Sequence, residues 1–264
     1  MPIAITKPFV DGIGNVINGL ISGLAIDPDT RITCNPEYSL GRYDTVLHPR
    51  HIYQGGDATP FGTFRLLVLK SEEAGQVHTE TEFHDIQTCG QPAFSNQVAI
   101  DMNYTPDRLS DAVRSRICQT IRSLEFLPCI SGWVQEEIQR FTPATTLGIT
   151  VRTWSAPHET NIRRAYSSEV YKQEIRRRLT SDITHVLLSV DNDHCVDEYL
   201  EFLKEFPVTV VTIPRRPDQN ELQHVFVKML ALSKCATVIG SRISTFTELV
   251  FWFGECRPAI IPLF

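Results

Sequence analysis

Leu147-Gly148-Ile149-Thr150-Val151-Arg152-Thr153-Trp154 is an apolar, β-branched run that stops abruptly at an arginine. A run of this length rich in Ile, Thr and Val is predicted to be a buried strand. The residue just past the carboxyl end of a buried parallel strand sits where open α/β sheets hold their ligands. The planar guanidinium fork there suits a diphosphate better than a lysine does. Taken in isolation, such an arginine more simply pairs with a neighbouring carboxylate. What surrounds the stretch decides between the two readings.

Downstream the pattern is regular. Residues 162–179 are predicted as a strongly charged helix, 184–190 as a strand, 195–206 as a helix and 208–213 as a strand. Residues 219–234 follow as a helix with Leu222, Val225, Phe226, Met229 and Leu230 on one face, then 236–240 as a strand, 245–253 as a helix and 258–262 as a last strand. Alternating strands and helices of these lengths specify an α/β class with a doubly wound parallel sheet, of which the opening stretch is the first strand. The loops that follow the strands then carry the ligand chemistry. They hold Arg152, Asp191-Asn192-Asp193, Pro214-Arg215-Arg216 and Gly240-Ser241-Arg242-Ile243-Ser244-Thr245.

Ser244 and Thr245 stand at a helix start, where hydroxyl residues serve as N-caps. A helix start bearing two hydroxyls beside the crevice of Arg152 is equally a phosphate site, and the two readings are compatible. Asp191 has a similar double reading. Asp and Asn after a strand make turns or cap the next helix, while a carboxylate in this place also accepts hydrogen bonds from a base or a ribose hydroxyl.

Upstream, residues 3–10 are a strand-type segment that runs into Asp11-Gly12-Ile13-Gly14-Asn15, after which Val16, Ile17, Leu20, Ile21 and Leu24 recur at helical spacing. The glycines serve either the turn itself or close approach to a ligand at the positive end of the helix. Residues 31–34 are predicted as a strand and 35–60 as loop, in which His48-Pro49-Arg50-His51 reads as surface histidines and not a metal site. Strands are expected at 64–69 and 97–102, joined by a polar connection or hairpin over 71–91. Thr105-Pro106-Asp107 opens a helix that reaches residue 126 and is ended by Leu127-Pro128. An amphipathic segment over 131–141 then breaks at Thr142-Pro143-Ala144. The predicted domains are 1–143 and 144–264, each Rossmann-like.

Across 264 residues, 42% hydrophobic content supplies material for two cores. A formal net charge of −6 disfavours a nucleic-acid partner. Seven cysteines without a CxxC pair read as reduced, mostly buried thiols. No secretory signal pattern and no apolar run of membrane-spanning length occurs, so a cytoplasmic location and no membrane span are expected. Gly-x-Gly-x-x-Gly, the Gly-Lys-Ser/Thr P-loop and the Gly-x-Ser-x-Gly elbow are all missing. A nucleoside-diphosphate donor held without a P-loop is what remains.

Four blocks, in order along nearly the whole chain, resemble the fucosyltransferase superfamily of the nodulation, core α1,6- and protein O-fucosyltransferases. Gly12-Ile13-Gly14-Asn15 resembles its Gly-x-Gly-Asn start, and Gly148-Ile149-Thr150-Val151-Arg152 its Gly-Val-His-Val-Arg strand. Leu187-Leu188-Ser189-Val190-Asp191 resembles its strand ending in Thr-Asp, and Leu232 through Ile239-Gly240-Ser241 to Ser244-Thr245-Phe246 its final phosphate-binding block. The resemblance implies a GT-B architecture, two Rossmann-like halves facing a cleft. It also implies inverting transfer of a sugar, with GDP-fucose the first expectation, to a glycan or glycoprotein acceptor, with no metal and no cofactor. Xylose or rhamnose from its own nucleotide, or a catalytically degenerate module that only binds nucleotide or glycan, are the alternatives.

On that likeness Arg152 stabilises the leaving diphosphate, Ser241, Ser244, Thr245 and Phe246 line the diphosphate and nucleoside, and Asp191 contacts the base. Gly12, Gly14 and Asn15 approach from the N-terminal half. Thr150 stands in place of the superfamily's histidine, and Thr153-Trp154-Ser155 replaces the usual continuation after the arginine. The catalytic base is therefore sought among Glu159, His158 and Asp11.

Overall fold

The protein is described by a computed structural model over residues 4–5, 13–26, 28–33, 40–53, 65–69, 81–84, 99, 103–108, 111–153 and 167–263. The chain divides into two units, Met1–Ser131 with Arg215–Phe226, and Gly132–Pro214 with Val227–Phe264. Both contain a parallel sheet.

In the first unit, strands β1 (Ala4–Ile5), β2 (Arg31–Thr33) and β3 (Ile52–Tyr53) pair in parallel in that order. Helix α1 (Ile13–Ile26) links the first two. Its Val16, Ile17, Leu20, Ile21 and Leu24 are all buried, so the helical period in the sequence is the face that meets the core. Strands β4 (Arg65–Leu69) and β5 (Thr81–His84) form an antiparallel pair, so the stretch 71–91 contains a strand. Helix α2 (Asp111–Ser123) packs on α1 and is followed by α3 (Pro128–Ile138).

β3 lies inside the predicted loop 35–60; two residues pairing through their backbones leave too little side-chain pattern to read. Pro128 does not simply end the preceding helix but opens α3, a position where its missing N–H costs nothing. Ala99 is helical where a strand over 97–102 was expected, and the rest of that stretch lies outside the described residues. The Ala99 carbonyl accepts from Tyr104 N–H at 2.8 Å, with Asn103 at φ 52°, a bond and a left-handed residue of the kind that close a helix end.

The histidine motif is also not simply a surface feature, because His51 is buried. Its Nε2 accepts from Glu125 N–H at 3.0 Å and from Arg50 Nε at 3.2 Å, and Arg50 Nη1 in turn donates to Glu125 Oε1 at 2.6 Å. Together these bonds fix the 3-10 turn Pro49–His51 against the segment that leaves α2. Burial, then the adjacent Arg50 charge, pushes the imidazole down from 6.5 to about 4. The unfolded chain therefore binds the extra proton between those values and the folded chain does not. Stability is full above pH 6.5 and is lost as pH falls through the window, by about 2–3 kcal/mol near pH 4.5 for this group. Denaturant melts from pH 7.5 downward should show that loss, and His51→Gln, which keeps an acceptor without a titrating ring, should flatten it.

The second unit is the regular half. β6 (Thr146–Val151), β7 (His185–Val190), β8 (Thr209–Thr212), β9 (Thr237–Ser241) and β10 (Ala259–Leu263) form one five-stranded, wholly parallel sheet in the order β10-β9-β6-β7-β8. Helices α4 (Ser168–Arg178), α5 (Asp193–Leu203), α6 (Glu221–Leu232) and α7 (Thr245–Phe253) alternate with the strands. Every residue of β6 is buried, as a central strand covered on both faces must be, and this is why it reads as an uninterrupted run. Leu147, Ile149 and Val151 pack with Val186, Leu188 and Tyr171 in one cluster. Five cysteines lie in described residues: Cys118 and Cys235 are buried, Cys195 and Cys256 half-buried and Cys129 exposed. Among the described residues no helix is long and apolar enough to cross a membrane.

Candidate functional site

The strand order places β6 in the middle. From it the chain winds outward through β7 and β8, then returns to the other side of β6 for β9 and β10. The direction of winding reverses between β6 and β9, and at such a point neighbouring loops part and leave a crevice at the carboxyl ends of the strands. Register brings the predicted residues to that edge. Ile149 pairs with Ile239 and Val151 with Val190, so Arg152, Asp191 and the Gly240-Ser241 pair all lie at the same end of the sheet.

Arg152 leaves β6 half-buried, one residue past a fully buried strand. Across the switch point, Ser241 ends β9 and Ser244 occupies the N-cap position of α7, both buried; Thr245 and Phe246 follow half-buried. The Ser244 carbonyl accepts the first helical bond, from Glu248 N–H at 3.0 Å, yet the Ser244 side chain makes no capping bond. The capping expected of its hydroxyl is thus absent. The amides of Thr245, Phe246 and Thr247 lie ahead of that first bond, where a helix has no acceptor of its own to offer. These amides, the positive end of the helix dipole and the Arg152 fork are groups that stabilise a phosphate-borne negative charge.

Asp191 is exposed at the exit of β7, and its carboxylate is engaged by the loop leaving β6. It accepts from Thr153 N–H at 2.9 Å and from the Thr153 hydroxyl at 2.6 Å. Capping of α5 falls instead to Asn192, whose Oδ1 accepts from His194 N–H at 3.1 Å. Gly14 is buried within the first turn of α1, in the first unit. Asn15 lies in the same helix, and its side chain is outside the described set; Asp11, Gly12, Trp154, His158 and Glu159 lie outside the described residues altogether.

Thr150, in the place where the resembling superfamily has histidine, is buried, with its methyl facing Gly240. Facing the same side of Gly240 is Thr247, fully buried, its hydroxyl without a hydrogen-bond partner. Thr153, Gly240 and Thr247 are not among the site residues expected from the sequence, although Thr153 and Gly240 stand within the quoted stretches. Gly240 adjoins Ser241 in the quoted block, and only strand register reveals that it faces Thr150. Among the described residues no group of three His, Cys, Asp or Glu side chains could hold a metal ion.

No protein-family model matches the chain, and no curated protein matches it in sequence. Solved structures do match. POFUT1 in its apo form aligns over 98% of this chain and 97% of its own at a TM-score of 0.56 and 11% identity. The chain has a fucosyltransferase-like fold. POFUT1 in complex with GDP aligns over the same 98% and 97% at a TM-score of 0.52, again with 11% identity. Against another POFUT1 structure, in complex with GDP-fucose, the match covers 56% of this chain and 50% of that one, at 13% identity and a TM-score of 0.43. The chain thus spans about half the length of that structure. The fucosyltransferase NodZ from Bradyrhizobium aligns over 94% of this chain and 91% of its own at 15% identity and a TM-score of 0.46. The α/β class and parallel sheets expected from the sequence are those of the observed fold.

Proposed function

We propose that the chain is a glycosyltransferase that binds a nucleotide-diphosphate sugar at the switch point of its second sheet, with GDP-fucose as the first donor to test. The observation that carries this reading is the adjacency in one parallel sheet of β6, which ends at Arg152, and β9, which leads at the same sheet edge into the helix start Ser244-Thr245-Phe246, where the Ser244 side chain makes no capping bond. That POFUT1, whose fold the chain shares, has been solved in complex with GDP supports the nucleotide. Arg152 neutralises charge on the departing β-phosphate, while an acceptor hydroxyl of a glycan or glycoprotein attacks the anomeric carbon from the opposite face, inverting it. Arginine and amides supply the charge that a metal supplies elsewhere, so transfer is proposed to need none. Residues 1–143 would serve the acceptor and 144–264 the donor. Gly12, Gly14 and Asn15 would reach the donor from the first of these, with Glu159 or Asp11 as base.

One observation favours a second reading, a module that binds nucleotide without transferring sugar. Thr150 offers no titratable group where the superfamily has histidine, and it is buried against Gly240. A thermal-shift screen of GDP, UDP, CDP and dTDP, followed by a transfer assay, separates the cases. A ligand at about a hundred times its dissociation constant stabilises by roughly 2.7 kcal/mol. GDP is expected to raise the melting temperature most. A flat response to all four would remove the nucleotide-sugar reading, and GDP binding with no turnover of any donor would favour the module.

A further inference from the structure

We propose that Asp191 is a positioning residue for Arg152, a clamp on the β6 exit loop, and not a reader of the nucleotide base. The inference rests on the donor reading above and changes what one of its residues does. Val151 and Val190 pair across β6 and β7, and the ladder continues one step further through Asp191 N–H to the Val151 carbonyl at 3.2 Å. Arg152 is thereby flanked. On its amino side the Val151 carbonyl is held by Asp191 N–H, and on its carboxyl side Thr153 is held by the Asp191 carboxylate through both N–H and hydroxyl. One residue at the exit of β7 fixes the peptide units before and after the arginine. Asn192 already caps α5, so the carboxylate is not needed there.

Hydrogen bonds to a carboxylate are short and about twice as strong as neutral ones, and the 2.6 Å hydroxyl contact is in that range. An oxygen that accepts both the Thr153 amide and its hydroxyl faces the loop and not outward to a base. The functional consequence follows from geometry. A guanidinium that must present its fork to a diphosphate loses affinity when the backbone beneath it can rotate, because the rotation must be frozen on binding.

The test measures GDP and inorganic pyrophosphate binding to the full chain by calorimetry. Asp191→Ala, which removes both the amide and the hydroxyl bond to Thr153, should weaken both ligands by the same factor, about tenfold or more. In an Arg152→Ala background it should cost GDP nothing further. Thr153→Val should weaken both ligands in the same way, and Thr153→Ser, which restores the hydroxyl, should recover them. A loss confined to GDP with pyrophosphate unchanged, or a loss that persists without Arg152, would overturn the proposal in favour of base contact. Should the wild-type chain bind neither ligand, the donor reading falls by itself, and hydrogen exchange at the Thr153 amide then judges the clamp. Faster exchange in Asp191→Ala than in wild type upholds it, and unchanged exchange refutes it.

Discussion

Arg152→Ala is expected to abolish sugar transfer from GDP-fucose and to leave the melting temperature within a degree or two of wild type. The asymmetry follows from position. The side chain leaves the sheet one residue after the buried strand, half-buried, and is not part of the apolar cluster of Leu147, Ile149 and Val151. On the donor reading proposed above, its work falls in the transition state, where the bond to the sugar breaks and negative charge appears on the diphosphate. Losing one preorganised donor at such a place costs roughly 10²–10³ in turnover, and an arginine supplies two. Arg152→Lys is a sharper form of the same prediction. It keeps the charge but replaces a planar fork with a point, and should recover little of the rate if two oxygens are gripped at once. Initial rates at saturating donor, with calorimetric melts of the same preparations, decide it. An Arg152→Ala protein that transfers sugar at the wild-type rate would remove Arg152 from the site, and with it the main support for the donor reading.

The second half of the fold is legible in the sequence because its physics is local. Strands covered on both faces become continuous apolar runs, and each helix between them carries a stripe, so the predicted 184–190 and 245–253 fall on β7 and α7 almost residue for residue. The first half is not, because its elements are short and are held by partners distant in sequence. β3 is two residues long and stands in a stretch of Pro, Gly and His, fixed in part by His51 bonding to the backbone of Glu125, 74 positions away. The site divides in the same manner. Arg152, Ser244 and Thr245 were readable as strand-end and helix-start residues. The partnership of Asp191 with Thr153 was not, since it depends on the parallel register of β6 against β7 across 38 residues. Thr150 stands where the resembling superfamily has histidine, and its burial against Gly240 makes it part of a packed floor between β6 and β9.

That floor supports a prediction about Gly240. A methyl group placed there would sit 2.8 Å from both Cγ2 and Oγ1 of Thr247 and 2.9 Å from Cγ2 of Thr150, closer than packed carbon atoms come. Neither threonine can easily give way. Both are β-branched and therefore stiff, one on a central strand and the other wholly buried in the first turn of α7. Gly240→Ala should destabilise the protein by about 1–3 kcal/mol, as overpacking of a filled core does. On the donor reading it should also weaken GDP binding, because the helix start proposed to offer its amides to the diphosphate is the element pushed away from β9. Adding Thr247→Ala removes two of the three clashing atoms together with a buried hydroxyl that has no hydrogen-bond partner. The double variant should therefore regain most of the lost stability, by more than the two single effects would sum to. Recovery of stability and of GDP affinity in parallel is what a single steric wedge between β9 and α7 demands. If stability returned while GDP affinity stayed low, displacement of α7 would not be the cause, and the loss of affinity would have to be assigned to the methyl at position 240 or to the missing Thr247 side chain itself.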